Sequence, residues 1–559
     1  MLKNYPLYKA DQVNDFKEFM KNCLSKYGDK IAFRYREKSV EIRKTYSDLY
    51  DDVKFLGTSL LELGVKNLKV AVIGENSYEW IVTYLATANT GNVIVPLDKE
   101  LGTKEIIRIL AEVECKAFVY SAQYREVAKE AIKAVDWDLI LINTEKDHDQ
   151  ENTNSLSFWQ LIDSGNNYLI EGNVNFESIK IDMNQLAAIN FTSGTTGLSK
   201  GVMLTHKNII SNTIGALNNV QVFNTSVLIL PIHHTFGLTA GVLSMLHAGT
   251  CICINSSIKR IASDLKDYKP EHLFLVPLYV ETLYKKIWQT AKSTNKEKLL
   301  RRVCKLSDTL LALGIDLRKH LFKNVIEAFG GELKLIVCGG APLDPKYIKG
   351  FRSFGINVLN GYGITECSPI VAVNRNKYYR DGSVGTVLSC CKVKLHDLNE
   401  DNEGEILVSG DCVMKGYFRN EKETKNAFLE GWFKTGDIGK MDEDGFLLIT
   451  GRAKNMIILS NGKNIYPEEL EMLLLNIPNV IDALVYSDRD EQGKEISIVA
   501  ELYLDEEYTK DKPLDNIKKE ISSEINLINK ALPAYKNISE FRIRKTEFQK
   551  TTTKKIIRK

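Results

Sequence analysis

From residue 69 onward, short apolar runs alternate with amphipathic stretches, and that alternation restricts the chain to few architectures. KVAVIGEN, YEWIVTYLATAN, NVIVPLD, KEIIRILAEVE and AFVYS succeed one another within residues 69 to 121. The first, third and fifth are brief and β-branched; the second and fourth repeat apolar residues at helical spacing. Such a succession predicts βαβ units and a parallel sheet covered by helices. It resumes further on with SVLILPI, TCICIN, HLFLVP and LKLIVCG, again short and apolar with amphipathic stretches between them.

The texture changes along the chain. Residues 291 to 329 are rich in Lys and Arg and helical in pattern. A solvated helical excursion is expected there, with a membrane-facing lip as the other reading. Residues 381 to 450 are β-rich and turn-rich, through GSVGTV, GEILVSG and EDGFLLITG. The last hundred or so residues combine VIDALVY and ISIVAELYL with PEELEMLLLN and PLDNIKKEISSEIN, a small α+β unit. At 559 residues the chain exceeds what one core usually supports.

Composition excludes several classes. Lys and Arg number 74 against 72 Asp and Glu, so no global field draws the chain to nucleic acid. The ten cysteines are scattered, Cys251/Cys253 and Cys390/Cys391 being the only close pairs, and neither pair has zinc-site spacing. Free cytosolic thiols are expected. The first residues lack the apolar core of a signal peptide, and no stretch approaches the roughly 18 to 20 apolar residues of a membrane span. A cytoplasmic protein, at most touching a membrane peripherally, is expected.

The chemistry concentrates first in FTSGTTGLSKGV, residues 191 to 202. Gly194, Gly197 and Gly201 let backbone N–H groups approach a ligand, Thr192, Ser193, Thr195 and Thr196 offer hydroxyls, and Lys200 adds a positive charge. The set suits a polyphosphate. It is not a Walker A loop, which needs G-x-x-x-x-G-K-[ST], nor a dinucleotide fingerprint. Thr205 is placed to cap a following helix. Alone, such a loop is as often an ordinary turn.

PIHHTFG (231 to 237), GGAPLDP (339 to 345), GYGITE (361 to 366), GWFKTGD (431 to 437), GRAKNMIILSNGKNIYPEELE (451 to 471) and KTTTKKIIRK (550 to 559) follow in order. With the loop they resemble the motif series of the adenylate-forming superfamily, most closely the bacterial long-chain fatty acid–CoA ligases. The resemblance spans about residues 30 to 559. It implies an α/β fold: a large N-terminal domain of layered, mostly parallel sheets with a β-rich subdomain, residues 1–453, and a small mobile α+β C-terminal domain, residues 454–559. It also implies an AMP-forming acid–thiol ligase. A carboxylate, of a medium- to long-chain fatty acid, attacks the α-phosphate of ATP to give acyl-AMP and pyrophosphate, and the CoA thiol then displaces AMP.

Residue roles follow from the same resemblance. The 192 to 200 loop would hold the β- and γ-phosphates, Glu366 would ligate Mg²⁺, and Thr365 would reach the α-phosphate. Adenine would lie between Gly340, Ala341 and Pro342 and the ring of Tyr362. Asp437 would accept the ribose hydroxyls, with Arg452 on the ribose or α-phosphate. Lys555 would be the adenylation lysine, Lys554 standing where the family commonly has Gly. Lys454 would be the hinge, and Gly462 and Lys463 would lie near the pantetheine channel.

His234 stands where the family places a histidine near the carboxylate pocket. Adjacent histidines on a strand face opposite ways, so His233 and His234 are not expected to share one pocket, and without a third ligand no metal is expected there. No acid occurs between Pro231 and Leu246, which argues against an α-amino acid whose ammonium would be buried unpaired. Gly237, Ala240 and Gly241 leave open either an acyl groove or close helix packing. Two other readings remain open: an acyl-AMP ligase loading an acyl carrier protein, and a catalytically silent binding protein of the same fold.

Overall fold

The computed structural model describes residues 4–38, 40–146, 155–192, 199–458, 464–489, 495–510, 512–550 and 556–558. The chain divides into two compact units, Met1–Lys392 with Val408–Phe433, and Val393–Leu407 with Lys434–Lys559.

The first unit is built on two sheets of the expected kind. One runs, in spatial order, Gly416–Tyr417, Lys200–Thr205, Leu186–Thr192, Val93–Pro96, Lys69–Ile73, Ala117–Tyr120, Ile140–Asn143 and Leu156–Ser157. Its neighbours from Leu186–Thr192 onward pair parallel, as at Val70↔Ile94 and Val70↔Ala117. The sequence dictates the covering helices locally. Tyr78–Asn89 starts where the Ser77 side chain accepts from the Trp80 N–H, and nearly every one of its residues is buried, matching its all-round apolar composition. Thr103–Val113 buries Ile106, Ile109, Leu110 and Val113, the i, i+3, i+4, i+7 stripe of an amphipathic helix on a core with Phe118, Tyr120 and Ile189.

The other sheet runs Gly385–Val387, Ile370–Val373, Asn357–Gly363, Leu335–Cys338, His272–Leu275, Thr225–Leu228, Cys251–Ile254, Ile31–Glu37 and Val40–Thr45. Its central strands pair parallel and carry the runs read as SVLILPI, TCICIN, HLFLVP and LKLIVCG. Beside it the basic stretch forms helices Glu297–Ala312, Arg318–Leu321 and Lys323–Glu327, as expected, with Leu299 and Leu313 58% and 71% exposed.

Strand Trp432–Met441, which belongs to the second unit from Lys434 onward, pairs antiparallel with Phe446–Arg452, setting Asp437 opposite Arg452. The C-terminal sheet has three strands where two were expected. Ile538–Arg544 pairs parallel with Glu495–Leu504, which pairs antiparallel with Val480–Arg489. ISEFRIR alternates charge with apolar residues, a half-exposed edge strand whose weak hydrophobic pattern hides it. Helices Pro467–Leu474 and Leu514–Ala531 bury Leu470, Leu474, Ile517, Ile521 and Ile525 against this sheet. No helix among the described residues is long and apolar enough to cross a membrane.

Candidate active site

The phosphate-loop segment links two antiparallel strands that form a hairpin stem, with Thr192 of Leu186–Thr192 opposite Lys200 of Lys200–Thr205. Ser193, Gly194, Thr195, Thr196 and Gly197 lie outside the described residues, as do Gly462, Lys463, Lys554 and Lys555. The hairpin stem is firmly held. Thr192 Oγ1 donates to the Lys200 carbonyl at 3.5 Å, and Ser199 Oγ donates to Glu105 Oε1 at 2.5 Å while accepting from Arg108 at 2.9 Å. Thr205 does cap the next helix, in a reciprocal capping box with Asn208. A Cβ at Gly201 would stand 2.9 Å from Ile189 Cγ2 and 3.1 Å from Phe191 Cζ, so the absence of a side chain there also serves strand packing.

Lys200 turns towards Glu423, forming an ion pair, and its ammonium lies 5.3 Å from the centre of the Tyr417 ring. The Tyr417 hydroxyl in turn donates to Glu366 Oε1 at 3.0 Å. Burial and the Glu366 charge push the Tyr417 hydroxyl well above its ordinary pKa, which keeps it a donor. Glu366 sits in the short helix Thr365–Cys367, and its carbonyl accepts from the Met414 N–H at 2.8 Å. Lys200, Glu366, Tyr417 and Glu423 therefore form one group. Glu366 offers a hard carboxylate oxygen of the type Mg²⁺ prefers, beside a lysine suited to phosphate.

The PIHHTFG segment meets GYGITE directly, with Thr235 Oγ1 3.5 Å from Thr365 Oγ1. The expectation that the two histidines face apart is overturned. Pro231 to His234 form a turn after Thr225–Leu228, held by Asn76 through the Leu230 carbonyl (2.8 Å) and the Ile232 N–H (3.1 Å). The strict alternation of a strand is therefore lost, and the His233 and His234 rings lie 4.3 Å apart. A third group is present too: His233 Nε2 stands 3.2 Å from Asp98 Oδ1, and a ligand atom of each of the three lies within 4.8 Å of the others. Burial works to raise the Asp98 carboxyl, but its contact with His233, that ring's charge and the Glu100 N–H carry it well below the usual carboxylate range. Asp98 follows the Val93–Pro96 strand, and nothing in that local sequence distinguished it.

Gly340 and Tyr362 line one cavity together, of about 70 Å³. Gly340 takes φ +90° after the strand Leu335–Cys338, a left-handed turn that suits glycine. From these two residues the lining continues through Phe236, Ala240, Met245 and Val220, and it is overwhelmingly apolar. Ala341 and Pro342 are not among its lining residues, nor is His234. The small residues of TFGLTAGVLSML divide between the two readings. Ala240 faces the cavity, whereas a Cβ at Gly237 would stand 2.3 Å from the Pro231 carbonyl oxygen and one at Gly241 3.1 Å from Leu228 Cδ1. Thr239–Leu243 is a π-helical turn, a widening of the helix at the cavity wall.

The profile of the family described as AMP-binding enzyme matches residues 20–418. The chain belongs to that family. Long-chain-fatty-acid–CoA ligase 6 of Mus musculus is 30% identical over 500 residues, covering 83% of this chain and 70% of that one. Long-chain-fatty-acid–CoA ligase FadD15 of Mycobacterium tuberculosis is 28% identical over 478 residues, 79% of this chain and 75% of that one. ATP-bound MatB from Rhodopseudomonas palustris shares the fold at a TM-score of 0.75 and 24% identity, over 97% of each chain. The expected adenylate-forming fold is thus borne out.

The remaining residues expected at the nucleotide of this AMP-binding enzyme lie in the second unit. Asp437 is 2% exposed and pairs with Arg452, Nε to Oδ1 at 2.9 Å. The Thr435 hydroxyl accepts from the Asp437 N–H at 3.0 Å, and Gly436 adopts φ +69° between them. Lys454 lies in the short helix Ala453–Asn455, its ammonium pKa lowered by burial and by the Arg452 charge. Tyr417, Glu423 and Asp98 were missed by motif reading because each acts through a partner at least 50 residues away.

Proposed function

We propose that this AMP-binding enzyme activates a medium- to long-chain fatty acid with ATP, forming acyl-AMP and pyrophosphate, and passes the acyl group to CoA with release of AMP. The supporting observation is the single cavity that begins at Gly340 and Tyr362, where the nucleotide motifs meet, and continues between apolar side chains. An acyl chain bound there brings its carboxylate to the nucleotide, and burying each methylene contributes about 0.8 kcal/mol. Asp98, an acid beside the PIHH turn, is engaged with His233 and does not line the cavity, which disfavours an α-ammonium substrate.

Adenylyl transfer rests on positioning and charge neutralisation. In this reading Lys200 exchanges Glu423 for the β- and γ-phosphates, and Thr192 with residues 193 to 197 supplies donors. Mg²⁺ would be held by Glu366, offsetting phosphate charge. Tyr417 fixes that carboxylate, Thr365 reaches the α-phosphate, and His234 attends the acyl carboxylate. Asp437 accepts ribose hydroxyls while Arg452 holds the ribose or the α-phosphate. Residues 454–559 move as a domain about Lys454, first delivering Lys555 and then presenting the Gly462 and Lys463 loop to CoA.

The test is pyrophosphate release from ATP, Mg²⁺ and a panel of carboxylic acids, with CoA or an acyl carrier protein as acceptor. Thioester is expected on CoA; thioester formed only on the carrier would overturn the CoA assignment. Lys555→Ala is expected to depress acyl-AMP formation by about 100-fold or more while sparing thioester formation from supplied acyl-AMP, and Lys554→Ala to do neither. The opposite pattern would move the adenylation role to Lys554.

A further inference from the structure

Four cysteines that lie far apart in the sequence converge immediately behind Glu366. The Sγ atoms of Cys390, Cys391 and Cys412 all lie within 4.8 Å of one another. The thiol of Cys367, the residue after Glu366, lies beside that of Cys412. The backbone enforces this meeting. Gly410 has φ +136° and lies so close to the neighbouring chain that a Cβ would stand 2.4 Å from the Cys390 carbonyl oxygen. The next N–H, of Asp411, donates to that same carbonyl at 3.0 Å, delivering Cys412 beside Cys390 and Cys391. Gly215 makes room from the other side, since a Cβ there would be 3.0 Å from Cys390 Sγ.

We infer that Cys390, Cys391 and Cys412, with Cys367 beside them, form a binding site for a thiophilic d¹⁰ cation such as Zn²⁺. A Zn–S bond of about 2.3 Å places tetrahedral ligand sulfurs about 3.8 Å apart, so the three thiols need shift by no more than about 1 Å to share one ion. Soft thiolates select such cations over Mg²⁺ or Ca²⁺. The surroundings suit a metal site as well. Cys367 and Cys412 are fully buried, Cys391 is nearly so, and Cys390 is partly exposed. The Asn212 side-chain amide lies 4.0 Å from Cys390 Sγ and also donates to the Cys367 carbonyl at 3.1 Å. Cys391 Sγ lies 3.6 Å from the Val371 carbonyl oxygen and 3.8 Å from that of Leu388, so its thiol proton has an acceptor in the protein itself.

The site is joined to the nucleotide residues by two hydrogen bonds. Ser368 Oγ donates to the Cys412 carbonyl at 2.8 Å, and the Met414 N–H to the Glu366 carbonyl at 2.8 Å. An ion held by Cys412 would brace the segment that hydrogen-bonds Ser368 and Glu366.

The experiment uses the full chain, reduced and freed of metal, titrated with Zn²⁺ alone and separately with Co²⁺ as a spectroscopic probe. The expected results are about one tightly held equivalent of Zn²⁺ by elemental analysis, thiolate-to-cobalt charge-transfer absorption, and a melting temperature raised by Zn²⁺. Cys390→Ser and Cys412→Ser should each abolish all three, and Cys115→Ser, remote from the cluster, should retain them. A triple Cys390→Ala, Cys391→Ala, Cys412→Ala chain that keeps a cooperative melt confirms that any loss is not misfolding. The inference is overturned by substoichiometric Zn²⁺ in the wild type, by charge transfer that survives in the triple variant, or by a Cys412 disulfide forming in air-oxidised protein with no metal bound after reduction. None of these readouts depends on the acyl or nucleotide substrate.

Discussion

Tyr417 donates its hydroxyl to Glu366 at 3.0 Å while its ring carries the ammonium of Lys200 at 5.3 Å. One side chain thereby sets the position of both charges proposed to meet Mg²⁺ and the phosphates. Hydrogen bonds to charged groups are worth about 1.5 to 3 kcal/mol. Tyr417→Phe, which keeps the ring beneath Lys200, should lower kcat/KM for ATP about 10-fold or more and shift the Mg²⁺ dependence of pyrophosphate release to higher concentration. An unchanged Mg²⁺ titration would remove Tyr417 from this role.

The two small-residue readings of TFGLTAGVLSML separate by mutation. Ala240→Phe projects into the cavity and should reduce kcat/KM for the longest acids by about 10-fold or more, at about 1 kcal/mol or more per displaced methylene, while sparing short acids. Gly241→Ala meets Leu228 instead and should lower the melting temperature without changing the chain-length profile. Turnover of an acyl-length series by both variants, alongside their thermal melts, checks the pair.

Stability should fall on mild acidification through His206. Burial lowers its pKa to about 4 in the folded chain, with the Asp182 charge opposing, while its Nδ1 accepts from the Phe16 N–H at 3.5 Å. The unfolded chain takes up the proton at about 6.5. The folded state is thus favoured above about pH 6.5, and up to about 3 kcal/mol is lost as pH falls towards 4. Denaturant midpoints across that window should drop, and His206→Gln should flatten the slope even though it starts from lower stability.

Local features were legible in the sequence, and long-range ones were not. The helix Tyr78–Asn89 and the strands around it could be read because their apolar periodicity is a property of neighbouring residues. Thr205 was recognisable as a cap for the same reason. His233 with His234 was misread because the strand ends at Leu228, and a turn lets consecutive side chains converge. The Asp98–His233 contact, the Tyr417–Glu366 bond and the meeting of Cys390 with Cys412 depend on tertiary closure, to which adjacent spacing gives no clue.

Product identity tests acid activation most directly. The purified chain is incubated with ATP, Mg²⁺, CoA and a long-chain fatty acid, and nucleotides and thioester are quantified together by mass spectrometry. AMP, pyrophosphate and acyl-CoA are expected in equal amounts, with acyl-AMP accumulating when CoA is withheld. ADP and phosphate in their place, or thioester formed without AMP, would contradict activation by adenylation.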